Sequence, residues 1–355
     1  MSATQIPTTM KALITQANNT SKVQDVPVPT TEDDEVLVRT VAVALNPVDW
    51  KFIDFFNIPG TIVGCDVAGK VVKVGKNVTN VAVGDNVASF VHGGIKPDLG
   101  SHAQYVKAAG ELVWKIPDGS ITLEEAATIS CGLYTGVQAL FHPKRLGLVE
   151  PPQKVSGEQW VFIYGGSSSL GLYGINLAHL AGYKVVTVAS PRNFELVKSY
   201  GADAVFDYKD PSVVDKIKGV THNTLHHVYD TISSPSSQIL SIKALAPGPG
   251  TVITVTVVTE EAKKLRHEDV HIEHTVIYSA LGREYPFIDG LRPAEPADRA
   301  HMAHFLKSLP QFVKDKLIRP NPVKLWEEGL ESIPDGLQYL KDGKNSGEKL
   351  VIRVD

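Results

Sequence analysis

Short apolar runs separated by proline and glycine dominate the first 120 residues of the chain. The runs predicted to form strands are Met10–Thr15, Glu35–Ala44, Gly64–Val74 and Asn86–Val91. Helical spacing of apolar positions first becomes clear over residues 123–141. The pattern predicts a partly open β-barrel followed by a helical stretch.

Strand-like and helix-like runs then alternate from about residue 160 to residue 279. The predicted strands are Trp160–Tyr164, Tyr183–Ala189, Ala204–Asp207, His227–Tyr229 and Thr251–Val257. The predicted helices are Leu170–Leu180, Phe194–Tyr200, Pro211–Lys218 and Ser236–Leu245. Such alternation is typical of a doubly wound parallel sheet. A last strand, Lys349–Val354, is predicted to rejoin the first domain.

A glycine turn joins the strand that ends at Tyr164 to the helix that follows. In a dinucleotide-binding fold, glycines at this point let the backbone approach a pyrophosphate at the N-terminus of the helix. The candidate cofactor-binding residues of the turn are Gly165, Gly166, Ser167, Ser168, Ser169, Leu170 and Gly171. The alternative is an ordinary turn between strand and helix that binds no ligand.

The end of the next strand indicates which dinucleotide is bound. An NAD site usually carries Asp or Glu there, which would repel a 2′-phosphate. Here Ser190 stands at the strand end, followed by Arg192 and Asn193, and Tyr208 ends the strand after it. A hydroxyl and a cation in place of an acid favour NADPH over NADH. Alternatively, Arg192 is a surface arginine and Tyr208 an ordinary residue at a strand end.

Composition and charge exclude several other classes of protein. The chain has 355 residues, 43% of them hydrophobic, and a net charge of -4, so it offers no basic face for nucleic acid. No apolar run approaches the length of a membrane span, and the N-terminus lacks the features of a signal peptide. Only two cysteines are present, which fits a reducing compartment. We expect a cytoplasmic enzyme with two domains.

Further motifs resemble those of a known group of enzymes. They are Asn46–Lys51 (NPVDWK), Gly64–Gly69 (GCDVAG), Val83–Val87 (VGDNV) and Gly347–Val351 (GEKLV). With the glycine turn, they resemble the medium-chain dehydrogenase/reductase superfamily over nearly the whole chain. The phrases ASPRNFELVKSYGADAVFDY, YDTIS and GLQYLKDGKNSGEKLV are similar, more narrowly, to the fungal trans-acting enoyl reductases of polyketide synthases and their ToxD-like relatives.

The resemblance implies an α/β fold with a β-rich domain, in which a GroES-like partly open barrel is combined with a Rossmann doubly wound parallel sheet. The implied domains are a catalytic and substrate domain at residues 1–135, a NADPH-binding domain at 136–305, and a C-terminal return at 306–355.

The superfamily divides into zinc-dependent and zinc-independent enzymes. In the zinc alcohol dehydrogenases, the positions that match Asn46, Cys65 and Cys131 are cysteine, histidine and cysteine ligands. Asn46 is a poor zinc ligand, so we expect no metal, although Cys65, Cys131 and Asp66 could together supply a ligand set. His92 and His102 are predicted to be lone histidines at the surface or in a loop.

The resemblance also suggests candidate catalytic residues. Lys51 occupies the segment that faces the nicotinamide in this superfamily, so it could donate a proton, hold an enolate or contact the cofactor; alternatively it is a solvated surface lysine. Thr135 resembles the family's hydroxyl near the nicotinamide, and could equally cap a helix. Asn46 and Tyr134 are weaker candidates, and Pro47, Leu281 and Gly282 are further candidates for cofactor binding.

The resulting hypothesis is an NADPH-dependent, zinc-independent reductase of the C=C bond of an α,β-unsaturated carbonyl, most simply an enoyl thioester carried by a polyketide synthase. The alternatives are a stand-alone quinone or alkenal reductase and a cofactor-binding protein without turnover. We also expect a monomer, because the segment expected at the edge of the nucleotide-domain sheet, Tyr278–Phe287, contains Arg283, Glu284 and Pro286, which disfavour strand pairing.

Overall fold

The computed structural model describes residues 5–265, 268–287, 290–326 and 329–354. Its chain divides into two compact units. Unit 1 contains residues 1–131, 278–316 and 320–355, and unit 2 contains residues 132–277 and 317–319. None of the helices in the described ranges is long and apolar enough to cross a membrane.

The strands, in chain order, are β1 (Thr9–Gln16), β2 (Thr20–Pro27), β3 (Glu35–Ala44), β4 (Asp66–Val74), β5 (Asn86–Phe90), β6 (Tyr105–Ala109), β7 (Val113–Lys115), β8 (Trp160–Tyr164), β9 (Lys184–Ala189), β10 (Ala204–Asp207), β11 (His227–Asp230), β12 (Gly250–Thr254), β13 (Val270–His274), β14 (Tyr285–Phe287), β15 (Gly290–Arg292), β16 (Val323–Trp326) and β17 (Lys349–Arg353).

The α-helices are α1 (Pro47–Lys51), α2 (Leu123–Ala127), α3 (Ser130–Phe141), α4 (Ser169–Leu180), α5 (Phe194–Ser199), α6 (Val213–Val220), α7 (Pro235–Ala244), α8 (Glu260–Leu265), α9 (Pro296–Leu306), α10 (Leu309–Lys314) and α11 (Ile333–Lys341). A π-helical turn, Phe52–Phe56, continues α1, and short 3₁₀ turns lie at Gly110–Leu112, Pro191–Asn193, Ile277–Leu281 and Leu330–Ser332.

The main sheet of unit 1 is mostly antiparallel. Its strand order is β16-β17-β3-β4-β5-β7, and β6 pairs with β3 as well. The hairpin of β1 and β2 joins this region through isolated bridges from Ala12 to Ala103 and from Ile14 to Ile62. Several buried clusters fill the interior, among them one around Val36, Val67 and Val106 and another around Leu13, Leu45 and Leu350. The expected barrel-like β-rich domain is confirmed.

The C-terminal strand β17 lies second from the edge of this sheet, between β16 and β3. It pairs in parallel with β16 and antiparallel with β3, so that Val351 lies opposite Ala44. Leu350 is fully buried and packs against Leu45 and Leu13. Strand β17 thus belongs to the same sheet as β3.

The sheet of unit 2 is parallel throughout. Its order is β10-β9-β8-β11-β12-β13, which is the arrangement of two halves that meet between β8 and β11. Alternate side chains such as Phe162, Val186 and Val228 share a buried cluster with apolar residues of α6, α7 and α8. On β8, Ile163 instead lies beside Gly174 of α4. The predicted doubly wound sheet is confirmed.

One predicted sheet edge is wrong. The segment Tyr278–Phe287 forms a 3₁₀ turn and the short strand β14, and the edge of the parallel sheet is β13 instead. The physical reason is that Tyr278 is buried within unit 1, where its ring stacks on His92 with 3.6 Å between the ring centroids. Unit 1 thus contains residues 278–305, which the predicted boundaries gave to the nucleotide domain; those boundaries stay a proposal.

Candidate active site

The turn between β8 and α4 has room for glycine only. Gly165 adopts a φ of +77°, a conformation that residues with a Cβ atom rarely take. A Cβ atom on Gly166 would lie 2.2 Å from Thr187 Oγ1, and one on Gly171 would lie 2.2 Å from the carbonyl oxygen of Gly165. The first turn of α4 therefore packs directly against the glycine backbone, which leaves the backbone at this edge accessible to a phosphate group.

Hydroxyl groups hold the N-terminus of α4 in place. Ser168 caps the helix, since its Oγ accepts a hydrogen bond of 2.9 Å from the N–H of Gly171. The same Oγ lies 2.8 Å from Oγ1 of Thr231, which in turn donates to the carbonyl oxygen of Tyr164. Because the N-terminus of a helix of 12 residues carries a partial positive charge, the turn is suited to bind an anionic group.

Three neighbouring strands bring the other predicted nucleotide-binding residues of unit 2 to the same edge. Ser190 follows β9 and Tyr208 follows β10, and these strands pair so that Asp207 lies opposite Ala189. Arg192 and Asn193 belong to the 3₁₀ turn after Ser190, and the side chain of Arg192 is exposed. Tyr208 is 39% exposed. The arrangement places a hydroxyl, a cation and an aromatic ring beside the glycine turn.

In unit 1, three of the candidate residues lie at the two ends of helix α1. Asn46 precedes the helix, Pro47 is its first residue, and Lys51 is its last. The Lys51 ammonium lies 5.6 Å from the centre of the Trp50 ring. Partial burial lowers the pKa of Lys51, because an ammonium loses hydration there. A lysine of this kind gives up its proton more readily than a fully solvated one.

Behind α1 lies a network of buried charged and polar groups. Asn46 Nδ2 donates to Asp66 Oδ2 over 2.8 Å, and the ammonium of Lys349 donates to Asn46 Oδ1 and lies 3.3 Å from the same Asp66 oxygen. The other oxygen of Asp66 accepts a hydrogen bond of 2.6 Å from the N–H of Cys131. All four residues are at most 8% exposed. Buried charges are tolerated when they are paired and hydrogen-bonded in this way.

Asp49 and His102 meet beside this network. Asp49 accepts a hydrogen bond from the N–H of Asn46, yet burial raises its pKa to about 7. His102 Nε2 lies 3.7 Å from Asp49 Oδ2, and burial lowers the pKa of His102 to about 3. The imidazole is therefore neutral, and the contact is not an ion pair.

His92 and His102 lie in loops, which agrees with one of the two predicted alternatives, but the other alternative, a position at the surface, is wrong. Both side chains are fully buried, and their ring nitrogens have no hydrogen-bond partner among the described residues. His102 packs against Gly64, where a Cβ atom would lie 2.2 Å from the His102 ring. His92 instead stacks on the ring of Tyr278. These contacts with other segments bury the two imidazoles.

The remaining candidates are distributed between the units. Thr135 and Tyr134 are buried within α3 in unit 2. Thr135 is the sixth residue of that helix, so it is not a helix cap. Leu281 ends a 3₁₀ turn of unit 1, its carbonyl oxygen accepts a hydrogen bond from Arg299, and Gly282 follows with a φ of +64°.

Cys65 and Cys131 are buried free cysteines. Burial raises the pKa of the Cys65 thiol well above its usual value, so Cys65 is protonated near neutral pH. Across the described ranges, no group of three or more His, Cys, Asp or Glu side chains has an arrangement that could hold a metal ion.

Two residues of these sites were not recognised from sequence. Thr231 follows β11 at the point where the halves of the parallel sheet meet, and it joins the glycine turn to the cap of α4. A threonine directly after a predicted strand is a weak signal, although the YDTIS phrase contains it. Lys349 lies within the GEKLV motif, but nothing in the sequence indicated its contact with Asn46, because that contact spans 303 residues.

The chain is similar to known protein families and to several known proteins. Two family profiles match it: the alcohol dehydrogenase GroES-like domain over residues 32–118, and the zinc-binding dehydrogenase domain over residues 169–292. The trans-enoyl reductase ACTTS2 of Alternaria alternata is 38% identical over 98% of this chain and 99% of its own. The trans-enoyl reductase mycC of Thermothelomyces thermophilus is 36% identical, with 99% and 98% covered. An uncharacterized protein of Saccharomyces cerevisiae is also 36% identical, with 98% of both chains covered.

Solved structures with the same fold include two relevant proteins. The CurK enoyl reductase superposes with a TM-score of 0.76 at 19% identity and covers 98% of this chain and 100% of its own. The mycobacterial protein Rv1454c, solved with NADPH, superposes with a TM-score of 0.72 at 21% identity, with 97% and 99% covered. At these identities the likeness concerns the fold.

The chain therefore belongs to the medium-chain dehydrogenase/reductase superfamily, and within it to the family of the trans-enoyl reductases. The resemblance inferred from the sequence motifs is confirmed, as are the GroES-like and Rossmann-type folds. The protein is an oxidoreductase, and its cofactor is a nicotinamide nucleotide. The glycine turn fits such a cofactor, because the side chains that would fill it are missing at Gly165, Gly166 and Gly171.

The close contact at Gly171 leads to a first prediction. Gly171→Ala should push α4 away from the glycine turn, lower the stability of unit 2 by about 1–3 kcal/mol, and weaken the binding of the nicotinamide nucleotide. Gly219→Ala is the matched control, since no atom lies within 4 Å of the added methyl group in α6. Chemical denaturation and calorimetric titration measure both effects. Equal cofactor affinity in the two variants would contradict the packing argument.

The raised pKa of Asp49 leads to a second prediction. In the folded state this carboxyl keeps its proton up to about pH 7, whereas in the unfolded chain it loses it near pH 4. Between these values the folded state binds more protons, so the contribution of Asp49 to stability is present below about pH 4 and is lost as the pH rises through 7.

An asparagine binds no proton, so Asp49→Asn should reduce the difference in bound protons between the folded and unfolded states by up to one. The unfolding free energy of the variant should therefore fall less steeply with pH, by up to about 1.4 kcal/mol per pH unit. Denaturant titrations from pH 4.5 to 7 measure the slope. Asp210→Asn serves as the control, because Lys216 lowers the pKa of that carboxyl to about 2, outside the range. Identical slopes for the parent and Asp49→Asn would show that Asp49 is ionised throughout.

Proposed function

We propose that the protein reduces the C=C bond of an enoyl thioester with NADPH, without zinc, while the acyl chain is carried by a polyketide synthase. The observation that carries the proposal is the 38% identity with a trans-enoyl reductase over 98% of the chain. The glycine turn supports it, because that turn provides a binding site for a dinucleotide pyrophosphate.

The proposed chemistry requires charge to be stabilised on the substrate. A bound NADPH would supply the hydride that adds to the β-carbon, and the thioester carbonyl oxygen would then carry the negative charge of an enolate. Lys51 is the group that we assign to this step, since partial burial lowers its pKa and favours proton donation to the α-carbon. Its ammonium also provides a hydrogen-bond donor for the enolate oxygen.

Zinc is not needed in this scheme. A zinc dehydrogenase polarises the substrate oxygen with its metal, whereas here the position of the first ligand is Asn46. The amide of Asn46 is already hydrogen-bonded to Asp66 and Lys349, and the thiol of Cys65 is protonated because burial raises its pKa. These contacts support a role for Lys51, with Thr135 as a further candidate, rather than for a metal ion.

A monomeric, cytoplasmic enzyme completes the proposal. The edge strand β13 of the parallel sheet has five residues, among them His271 and Glu273, whose side chains lie 3.4 Å apart. Charged side chains on a short edge strand disfavour pairing with a second copy. Light scattering should give the mass of one chain, 38.4 kDa, and a value twice as large would contradict this part of the proposal.

The proposed activity is tested by the choice of substrate. Purified protein should oxidise NADPH with a crotonyl thioester, and faster with the thioester on a carrier protein than with a simple quinone. The rate should survive treatment with a chelator. Turnover of the quinone alone would indicate a stand-alone quinone or alkenal reductase, and no turnover of either would indicate a cofactor-binding protein.

Lys51→Ala should lower kcat for the thioester by about 10²–10⁴-fold, because general acid catalysis has typically that effect. Binding of NADPH, followed separately by titration, should change little. Lys341→Ala is the matched control, since the Lys341 ammonium also lies 5.6 Å from the centre of the Trp50 ring. Full turnover in Lys51→Ala would remove the residue from the mechanism.

Arg192→Ala should lower the affinity for NADPH by about tenfold or more, because a charge-assisted contact with the 2′-phosphate is lost. The affinity for NADH should stay nearly unchanged. Lys198→Ala, which removes a nearby exposed cation of α5, should affect neither cofactor. Calorimetric titration of each variant with both cofactors provides the comparison. Equal affinities of the parent for NADPH and NADH would refute the assignment of Ser190 and Arg192.

A further inference from the structure

The buried ammonium of Lys349 has no role in the proposed reaction. Lys349 is the first residue of β17 and is only 3% exposed. Its neighbours are Asn46 Oδ1, to which it donates a hydrogen bond, and Asp66 Oδ2, at 3.3 Å. A cation in such a place requires a negative partner, and the carboxylate of Asp66 provides it.

The charges determine the orientation of the Asn46 amide. The carbonyl side of the amide faces the ammonium of Lys349, and the NH₂ side faces the carboxylate of Asp66. The NH₂ group also donates to the carbonyl oxygen of Ala44 over 3.3 Å. Both amide hydrogens and the amide oxygen are therefore engaged, so Asn46 has no free donor for a substrate oxygen. A flipped amide would place like charges together.

This network holds the start of helix α1 against two strands. Asn46 directly precedes the helix, and its N–H is bound by Asp49 within the first turn. The preceding residue, Leu45, donates its N–H to the carbonyl oxygen of Leu350, which follows Lys349. Lys51 stands at the other end of the same five-residue helix. A shift of Asn46 would therefore be transmitted to Lys51.

We propose that Lys349, Asp66 and Asn46 form a positioning unit, in which a buried ammonium supplies the fixed positive charge that orients Asn46 and thereby sets the place of Lys51. Lys349 and Asn46 are positioning residues and do not touch the substrate. This inference rests on the proposed function only in so far as Lys51 takes part in turnover.

The test must distinguish a loss of activity caused by a misplaced Lys51 from one caused by lower stability of the fold. Lys349→Met leaves a buried unpaired carboxylate and should destabilise unit 1. The double variant Lys349→Met/Asp66→Asn removes both charges, so its denaturation midpoint should return close to that of the parent. Its amide at position 46 has nevertheless lost the charges that orient it. We expect kcat for the thioester to stay at least tenfold below the parent value, with NADPH affinity within about twofold.

Asn46→Ala provides a second route to the same answer. It leaves the Asp66 and Lys349 charges in place and removes only their link to α1, so it should lower kcat to a similar extent. Combining Asn46→Ala with the double variant should give no further loss, because residues that act as one unit are not additive. Lys70→Met, which removes an exposed lysine of the same strand β4 that carries Asp66, is the control and should behave as the parent.

Hydrogen exchange supplies a readout that does not depend on the substrate. Amides of residues 46–56 should exchange faster in Asn46→Ala and in the double variant, whereas those of β5 and β7 should keep the parent rates. Recovery of kcat together with stability in the double variant, or unchanged exchange over 46–56, would overturn the inference. If the parent itself fails to reduce the thioester, the proposed function fails, and the exchange measurement alone decides between positioning and its absence.

Discussion

Unit 1 depends on a pair of opposite charges in its interior. The ammonium of Lys349 and the carboxylate of Asp66 are both almost fully buried, and neither would be tolerated there without the other. The pair connects the last strand of the chain to β4, and through Asn46 it reaches the start of helix α1. A fourth segment of the chain joins the pair through the N–H of Cys131, which donates a hydrogen bond to Asp66. Segments that are far apart in sequence thus meet at one point, where a mismatch in position would leave a charge unpaired.

The nucleotide-binding part of unit 2 depends on a different constraint, which is the absence of side chains. Gly166 and Gly171 allow the backbone of the turn, strand β9 and helix α4 to approach more closely than any Cβ atom would permit. Thr187 Oγ1, which lies 2.2 Å from the place that a Cβ atom of Gly166 would take, donates to the carbonyl oxygen of Ile163. The close approach is what exposes the N-terminus of α4 to a phosphate group. Geometry and electrostatics therefore both follow from the same few glycines.

Local sequence signals predicted the elements of both units well and the environment of single side chains less well. Strand β8 begins and ends at the predicted residues, because an apolar run bounded by glycine is decided within a few residues. The predicted helical stretch 123–141 is instead two helices, α2 and α3, separated at Thr128 and Ile129. His92 and His102 were expected in loops or at the surface and are buried. Their burial results from contacts with other segments, since Gly64 packs against His102 and Tyr278 stacks on His92.

The sequence by itself determined the class of fold and the glycine turn of a dinucleotide-binding domain, since each is written in contiguous residues whose spacing has a direct physical meaning. It also determined that Asn46 stands where the zinc enzymes have a ligand. Only the tertiary structure decided what Asn46 does there, because its partners lie 20 and 303 positions away. It likewise decided that Asp49 keeps its proton to about pH 7 and that Tyr278 packs on His92. Burial and pairing of charge are properties of how distant segments pack together, and no local pattern encodes them.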